Sequence, residues 1–92
     1  MFEWDEAKAV SNRQKHGLSF EEAATVFEDA LAVCIPDPDH SDGEERLILV
    51  GYSDQDRLVF VSHRELDQNI RIISARLATT TERKRHEEYI RF

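Results

Sequence analysis

The chain has 92 residues and a single cysteine, so it has room for one small domain, expected over residues 1–92, and cannot form an internal disulfide. No apolar run approaches the length of a membrane helix and the acidic N-terminus does not resemble a signal peptide, which favours a cytoplasmic protein with no membrane contact. The net charge of −7 argues against a general nucleic-acid binder, but residues 46–92 alone carry +2, mostly as arginine.

The N-terminal part of the sequence predicts two helices. The first covers Phe2 to Lys15, with Asp5 as the candidate N-cap. The second follows Ser19, which forms a capping-box pattern with Glu22, and should end near Glu28–Ala30. Both are amphipathic enough to cover one side of a sheet.

The rest of the chain predicts a sheet and a last helix. Strands are expected at Leu31–Ile35, Arg46–Tyr52, Leu58–Arg64 and Ile70–Leu77. Short connections force consecutive strands to pair antiparallel. The expected fold class is therefore α+β: two N-terminal helices, a four-stranded antiparallel meander and a C-terminal helix. Cys34, in an apolar run, is expected to be a small buried hydrophobe.

The stretch from Asn69 to Tyr89 is the first place to look for chemistry. Regular alternation along its strand puts one set of side chains on one face, Ile70, Ile72, Ser74 and Arg76, and another on the opposite face, Arg71, Ile73, Ala75 and Leu77. Ser74 and Arg76 are then neighbours just before the last helix. That helix opens with a second capping-box pattern, Thr79 with Glu82.

Three polar side chains of the last helix share a face, since Glu82, His86 and Tyr89 follow helical spacing. They could perform acid–base chemistry or simply form a solvated surface. His16, at the end of the first helix, could be a base or a phosphate contact, although spacing alone favours a cation that complements the helix dipole.

Two further groups of charged residues allow more than one interpretation. Four arginines on or beside the strands could form a phosphate platform or pair with nearby carboxylates; these are Arg46, Arg57, Arg64 and Arg76. Arg57 and Arg64 are an odd number of residues apart, so they should face opposite ways. The segment with Asp37, Asp39, His40 and Asp42 is more typical of a solvated loop than of a metal site. No metal and no cofactor is expected.

Several strings in this sequence together resemble the BrnT family of bacterial toxins. They run from Phe2 to about Glu87: Phe2-Glu3-Trp4-Asp5 with Lys8, Asn12, Lys15-His16-Gly17, Ser19-Phe20-Glu21-Glu22-Ala23, Asp39-His40-Ser41, Glu44-Glu45-Arg46, Gly51-Tyr52-Ser53, Arg57, Ile70-Arg71-Ile72-Ile73-Ser74-Ala75-Arg76, Ala78-Thr79 and Glu82-Arg83. Lys-His-Gly and Arg-Ile-Ile-Ser-Ala-Arg in this order are specific, whereas each string alone would be weak.

The resemblance implies a RelE-like fold and a ribonuclease toxin of a type II toxin–antitoxin pair. Such toxins cut RNA without a metal and so inhibit translation. The implied partner is a BrnA-like antitoxin, which neutralises the toxin and represses the shared operon, often in a complex of two toxins with two antitoxins.

Metal-free RNA cleavage needs a base for the 2′-hydroxyl, an acid for the leaving 5′-oxygen and cations for the extra phosphate charge. Arg76 with Arg64 or Arg46 could supply the cations, His16 or Glu82 the base, and Ser74 a hydrogen bond. Related toxins often carry a tyrosine where this chain has His86, which either replaces it as acid or base or weakens the activity. Further RNA contacts are expected from Lys15, Arg46, Arg57, Arg83 and Tyr89.

Two other functions remain compatible with the residues alone. One is a non-catalytic binding module of this fold, whose arginine face docks a partner in a regulatory complex. The other is a small acidic adaptor in which each arginine is tied to a carboxylate. A ribonuclease would gather Ser74, Arg76, a base such as His16, and Glu82 or His86 in one cleft.

Overall fold

The computed structural model describes residues 1–38 and 45–90. Within these ranges the helices are Glu6–His16 (α1), Phe20–Thr25 (α2) and Thr80–Tyr89 (α3), and a 3₁₀ turn, Val26–Glu28, continues α2. The strands are Phe2–Glu3 (β1), Val33–Pro36 (β2), Leu47–Tyr52 (β3), Leu58–Glu65 (β4) and Ile70–Leu77 (β5). The expected α+β class is confirmed.

Over the described residues the sheet has five strands in the order β1-β5-β4-β3-β2, so the prediction of four strands was wrong. The four predicted strands do form an antiparallel meander, β2 to β5. The extra strand is β1, which pairs in parallel with the start of β5 through Phe2 and Glu3. Arg71 Nη1 holds it there by donating to Glu3 Oε2 at 2.8 Å. A parallel pairing with a segment 68 residues away leaves no local signal in the sequence.

Side-chain caps fix where the helices begin, as the sequence indicated. Asp5 accepts a hydrogen bond from the Lys8 amide at 3.0 Å, so α1 starts at Glu6, not at Phe2 as predicted. Ser19 caps α2 through the Glu22 amide at 3.1 Å. α1 ends at His16 and is capped by Gly17, which adopts φ 64° and donates its amide to the Arg13 carbonyl at 2.9 Å. Within the described ranges no helix combines the length and apolar character that crossing a membrane requires.

The hydrophobic core lies between α1, α2 and one face of the sheet. Its fully buried members come from the α1–α2 segment and from β4 and β5: Leu18, Phe20, Ala23, Val26, Val59, Val61, Ile72 and Ala75. We call this side of the sheet the core face. Each of its large aliphatic side chains contributes roughly 1.5–3 kcal/mol of transfer free energy on burial.

A bulge in β5 decides which of its side chains face this core. Ser62 pairs with Ser74, but the next residue of β4, His63, pairs with Ile72, so Ile73 is an extra residue in β5. Ile72 and Ala75 are consequently both buried on the core face, at 1% and 2% exposure. The predicted alternation, which placed Ile72 on one face with Ser74 and Arg76, was therefore wrong.

The opposite face of the sheet carries α3. Val50 of β3 pairs with Phe60 of β4, and both side chains face a space that α3 closes from above. The rings of Tyr52 and His86 meet there with centroids 5.9 Å apart. Ser74 and Arg76 also lie on this face, because the bulge turns them away from the core. We call it the open face.

Cys34 lies on β2, an edge strand, and is exposed, so the prediction that it is buried was wrong. Partial desolvation and the charge of Glu65 raise the pKa of its thiol. A raised pKa favours the protonated thiol over the reactive thiolate.

Asn12 joins α1 to β5 and is 6% exposed. Its Oδ1 accepts a hydrogen bond from the Ala75 amide at 3.0 Å, and its Nδ2 donates to the Leu18 carbonyl at 3.1 Å. The side chain thus provides hydrogen-bond partners to two buried backbone groups. It also fixes the C-terminal turn of α1 against the strand that carries Ser74 and Arg76.

We expect Asn12→Ala to lower the free energy of unfolding by about 1–3 kcal/mol, because it leaves the Ala75 amide and the Leu18 carbonyl buried without partners. Urea unfolding followed by circular dichroism measures the change. Ser11→Ala, an exposed neighbour on the same helix, is the matched control and should change stability by less than about 0.5 kcal/mol. Equal losses for both variants would contradict this role of Asn12.

Candidate active site

The open face holds a groove of about 280 Å³ beside the bulge of β5. We call it the cationic groove. Its walls come from the end of α1, the segment around β2 and β3, and strands β4 and β5. The lining residues are His16, Asp37, Arg46, Ile48, Phe60, Ser62, Ser74, Ala75 and Arg76.

His16 enters the groove from the last position of α1. The Asn12 hydrogen bonds hold this end of the helix against Ala75, and Gly17 turns the chain away immediately afterwards. Histidine side chains take up and release protons near neutral pH, so His16 is placed to exchange a proton with a bound ligand.

Two serines line the groove beside the bulge. Ser62 and Ser74 are cross-strand partners on β4 and β5, and both side chains face the open side of the sheet. Two hydroxyls so placed can donate hydrogen bonds to an anion. Ser74 was expected from the sequence, whereas Ser62 was not.

Arg76 is held from two sides. Its guanidinium lies over the Phe60 ring, 4.3 Å from the centroid. It also forms a bidentate ion pair with Glu82, in which Nη1 donates to Oε1 at 2.8 Å and Nη2 to Oε2 at 2.9 Å. The planar fork is therefore fixed in one orientation, with its remaining donors available to a ligand.

Glu82 is at the same time part of the N-terminal cap of α3. Its Oε1 accepts the Thr79 amide at 2.9 Å, while Thr79 Oγ1 accepts the Glu82 amide at 3.1 Å. The hydrogen bond from Arg76, opposed by partial burial, lowers the pKa of Glu82 to about 2. In turn, the bond to Glu82 raises the pKa of Arg76. A carboxylate with such a low pKa binds a proton too weakly to be an efficient base near neutral pH.

Four of the residues predicted from the sequence meet in the cationic groove, namely His16, Arg46, Ser74 and Arg76. Glu82 lies next to them through Arg76. His86 does not line this groove: it is 7% exposed and faces Tyr52 under α3. Glu82, His86 and Tyr89 do share one side of α3, as their spacing indicated, but they line a neighbouring pocket.

The structure places Arg57 on the core side, away from the groove. Its guanidinium donates to Glu22 Oε1 at 2.6 Å and Oε2 at 2.9 Å and to the Gly17 carbonyl at 3.3 Å. The buried Glu22 also accepts from Ser53 Oγ at 2.7 Å, and the bond from Arg57 lowers its pKa. This network ties α2 to the β3–β4 turn.

The other predicted RNA contacts are dispersed. Lys15 is exposed on α1, and Arg83 is exposed on α3. Arg64, predicted as a catalytic cation, lies on β4 two residues beyond Ser62 and on the same face, while Arg57 faces the other way, as their spacing indicated. Tyr89 is 67% exposed at the end of α3. None of these belongs to the lining of the cationic groove.

Three residues of the site gave little signal in the sequence. Phe60 and Ser62 look like ordinary members of a half-buried strand, because alternation predicts their face but not what lies above it. Asn12 looks like a solvated helix residue until its partner, 63 residues away, is known. Their roles depend on contacts between distant segments.

A metal-binding group was not found among the described residues: no three His, Cys, Asp or Glu side chains lie close enough together. Asp37 lines the groove, and its amide donates to the Arg46 carbonyl at 2.9 Å. The other members of the acidic loop considered above, Asp39, His40 and Asp42, lie outside residues 1–38 and 45–90.

Comparison with known protein families shows which family this chain belongs to. Residues 4–82 match the model of the family described as the ribonuclease toxin BrnT of a type II toxin–antitoxin system. The chain belongs to the BrnT family. The match includes His16, Ser74, Arg76 and Glu82, and it confirms the resemblance drawn from the sequence.

A solved structure agrees with the family assignment. The chain is similar to the 1.1 Å-resolution crystal structure of the Brucella abortus ribonuclease toxin BrnT, with a TM-score of 0.68 and 26% identity. The alignment covers 87% of this chain and 99% of the Brucella chain. A search of curated protein sequences gave no significant match.

Membership of the BrnT family makes this protein a ribonuclease toxin of a type II toxin–antitoxin system, as expected from the resemblance. A type II system implies an antitoxin partner. The enzyme is thus favoured over the two non-catalytic functions that the residues alone left open.

We expect the unfolding free energy to fall as the pH drops from about 4.5 to about 2, because Glu82 has an ordinary pKa of 4.5 when unfolded and about 2 when folded. The depressed pKa stabilises the fold above pH 4.5 and stops doing so once the folded carboxylate is protonated. Since the Arg76 side chain is 44% exposed, solvent screening limits the contribution to on the order of 1 kcal/mol.

Urea unfolding of the wild type and Glu82→Gln at several pH values measures this contribution. The difference in stability between the two proteins should shrink toward pH 2. Glu88→Gln, an exposed carboxylate on the same helix, controls for the loss of one negative charge. A gap between wild type and Glu82→Gln that stays constant from pH 5 to pH 2 would contradict the ion pair's role.

Proposed function

We propose that the cationic groove is the catalytic site for RNA cleavage and that the 2′-hydroxyl of the RNA is the nucleophile, without help from a metal ion. The observation that carries this proposal is the convergence of His16, Ser74, Arg76 and Arg46 on one groove. The four come from three separate parts of the chain. They comprise a proton acceptor, a hydroxyl donor and two guanidinium groups, which are the functions that metal-free transesterification needs.

In the proposed reaction His16 takes the proton of the 2′-hydroxyl as the 2′-oxygen attacks the neighbouring phosphorus. The P–O5′ bond then breaks, and the 5′-oxygen leaves and acquires a proton from water in the open groove. The products are a 2′,3′-cyclic phosphate and a free 5′-hydroxyl. His16 is preferred over Glu82 as the base because the low pKa of Glu82 makes its carboxylate a weak proton acceptor.

Arg76 would stabilise the phosphorane, on which an extra negative charge develops as the 2′-oxygen attacks. Glu82 and the Phe60 ring hold its guanidinium in place before substrate arrives, so little reorganisation is needed in the transition state. Glu82 is on this account a positioning residue. Ser74 donates to a non-bridging phosphate oxygen from beside the bulge.

His86 stands where related toxins often have a tyrosine, but its burial against Tyr52 supports a different role. We assign it to the wall of the neighbouring pocket under α3, not to proton transfer. Lys15, Arg57, Arg83 and Tyr89 stay predicted RNA contacts outside the groove, and Arg64 stays a predicted catalytic cation that does not line it. Arg57 and its Glu22 partner more directly support the fold.

The partner is proposed to be a BrnA-like antitoxin that neutralises the toxin in the cytoplasm, in an assembly of two toxins with two antitoxins that represses the shared operon. Translation would be inhibited through loss of RNA. These statements rest on membership of the BrnT family. Co-expression of the adjacent antitoxin gene and size measurement of the purified complex would test them.

We expect Arg76→Ala to slow RNA cleavage by about 10²–10³-fold, since it removes a preorganised cation from the transition state. His16→Ala should slow cleavage by about 10²–10⁴-fold through loss of the general base. The measurement is single-turnover cleavage of a labelled RNA by purified protein. Growth arrest on induction without antitoxin is the corresponding test in cells.

Arg13→Ala is the matched control for both variants, because Arg13 is an exposed cation on α1 outside the groove. Its cleavage rate should stay within a few-fold of wild type. Arg76→Lys keeps the charge but loses the fork, so it should recover only part of the rate. If Arg76→Ala and His16→Ala both cleave as fast as Arg13→Ala, the groove is not the catalytic site.

We expect cleavage to be unaffected by removal of divalent cations. Protein and RNA treated with excess EDTA should react at the same rate as untreated samples. Mass spectrometry of the fragments should find a 2′,3′-cyclic phosphate or the 3′-phosphate from its hydrolysis. Loss of activity in EDTA that magnesium restores, or fragments ending in 3′-hydroxyl and 5′-phosphate, would contradict the mechanism.

A further inference from the structure

A second, larger pocket of about 420 Å³ lies under α3 on the open face. We call it the α3 pocket. Its floor is formed by apolar side chains of three neighbouring strands, Val33 and Ile35 of β2, Val50 of β3 and Phe60 of β4. Its roof is α3, which contributes Glu82, Arg85, His86 and Tyr89. Of all these lining residues, the proposed cleavage mechanism uses only Glu82 and Phe60, which hold Arg76 in place.

The α3 pocket and the cationic groove share a wall. Phe60 lines both, and Arg76 of the groove lies over its ring at 4.3 Å. Glu82, which lines the α3 pocket, is the bidentate partner of Arg76. A phosphate held by Arg76 would thus stand at the junction of the two cavities, with the adjoining nucleotide next to the α3 pocket.

We propose that the α3 pocket binds one nucleobase of the RNA, from a nucleotide that adjoins the phosphate in the cationic groove. This proposal rests on the proposed function of that groove. The pocket would help to hold the substrate in register and would contribute to the choice of cleavage site.

The lining of the pocket matches the chemistry of a base. Proteins that bind unpaired bases stack them on aromatic rings and on arginine planes. The pocket offers the rings of Phe60, His86 and Tyr89 and the guanidinium of Arg85. The aliphatic floor supplies apolar contact for the flat faces of the base and excludes water.

His86 has a feature that the fold alone does not explain. Its Nε2 is buried and has no hydrogen-bond partner among the described residues. A buried polar atom without a partner costs roughly 1–3 kcal/mol. The His86 side chain lines the α3 pocket, and the edge of a base bound there carries donors and acceptors of the kind that pair with an imidazole nitrogen.

An apolar side chain from a protein partner is the competing occupant. The floor alone would suit it, but such a side chain has no use for Arg85 or for an imidazole nitrogen without a partner. It also would not need to lie beside the cationic groove. Continuity with the groove and the aromatic, cationic roof therefore favour the base.

The test uses an RNA oligonucleotide whose cleavage site has first been mapped with the wild type. A 2′-deoxy substitution at the attacking sugar blocks cleavage, so that fluorescence anisotropy reports binding alone. Abasic nucleotides are then placed on either side of the scissile phosphate in turn. We expect one of the two to weaken binding by about five- to 100-fold, as loss of one stacked base does in other single-strand binders.

Variants of Tyr89 connect this loss to the pocket. Tyr89 is 67% exposed, so Tyr89→Ala should fold normally. It should bind the intact oligonucleotide more weakly than wild type does. The abasic substitution should then lower its affinity only a little further. Tyr89→Phe keeps the ring and should retain the wild-type penalty for the missing base.

The possible results distinguish failure of the base-pocket proposal from failure of the groove proposal. If the wild type cleaves the unmodified RNA but neither abasic substitution weakens binding, the base-pocket proposal is wrong and the groove still stands. An abasic penalty of equal size in wild type and Tyr89→Ala would place the base elsewhere and also overturn the proposal. If the wild type neither binds nor cleaves RNA, the groove proposal fails first and the pocket with it.

Discussion

In β5 the chain must bury Ile72 and Ala75 on the same side although they are three residues apart, and the extra residue at Ile73 is what permits it. The bulge lets the part of β5 before it and the part of β5 after it both contribute side chains to the core. It also turns Ser74 and Arg76 to the open face. Without it, a regular strand could present Ile72 or Ala75 to the core, but not both. The core and the groove therefore depend on the same local distortion.

The parts of this architecture that the sequence predicted are the local ones. The caps at Asp5, Ser19 and Thr79 satisfy backbone groups three residues away and can be recognised within one turn. The meander follows from its short connections. The features that the sequence did not predict are non-local: β1 pairs with a strand near the other end of the chain, and the bulge shows only in the register of β5 against β4.

For the candidate site, as for the fold, the sequence predicted the local groupings but not the contacts between distant segments. Ser74 and Arg76 were correctly placed on one face, because they are two residues apart in the regular part of β5 after the bulge. Ile72 precedes the bulge and does not share that face. The partner of Arg57 was not foreseen, since Glu22 precedes it by 35 residues. His16 could not be connected to Ser74 from spacing, because Asn12 makes that link through a single side chain. Sequence spacing predicts which groups share an element, whereas the grouping of elements requires the fold.

The charge distribution fits an enzyme that meets RNA over a small area. The acidic first half of the chain supplies α1 and α2, which cover the core face, whereas the groove lies on the open face. At physiological salt, charges more than about 8 Å apart are largely screened, so the proposed binding of a phosphate in the groove would depend mainly on the arginines that line it. The net charge of −7 still opposes the approach of a polyanion. On the proposed mechanism, affinity would then come from short-range contacts, a fixed guanidinium and a stacked base, more than from the release of many counterions.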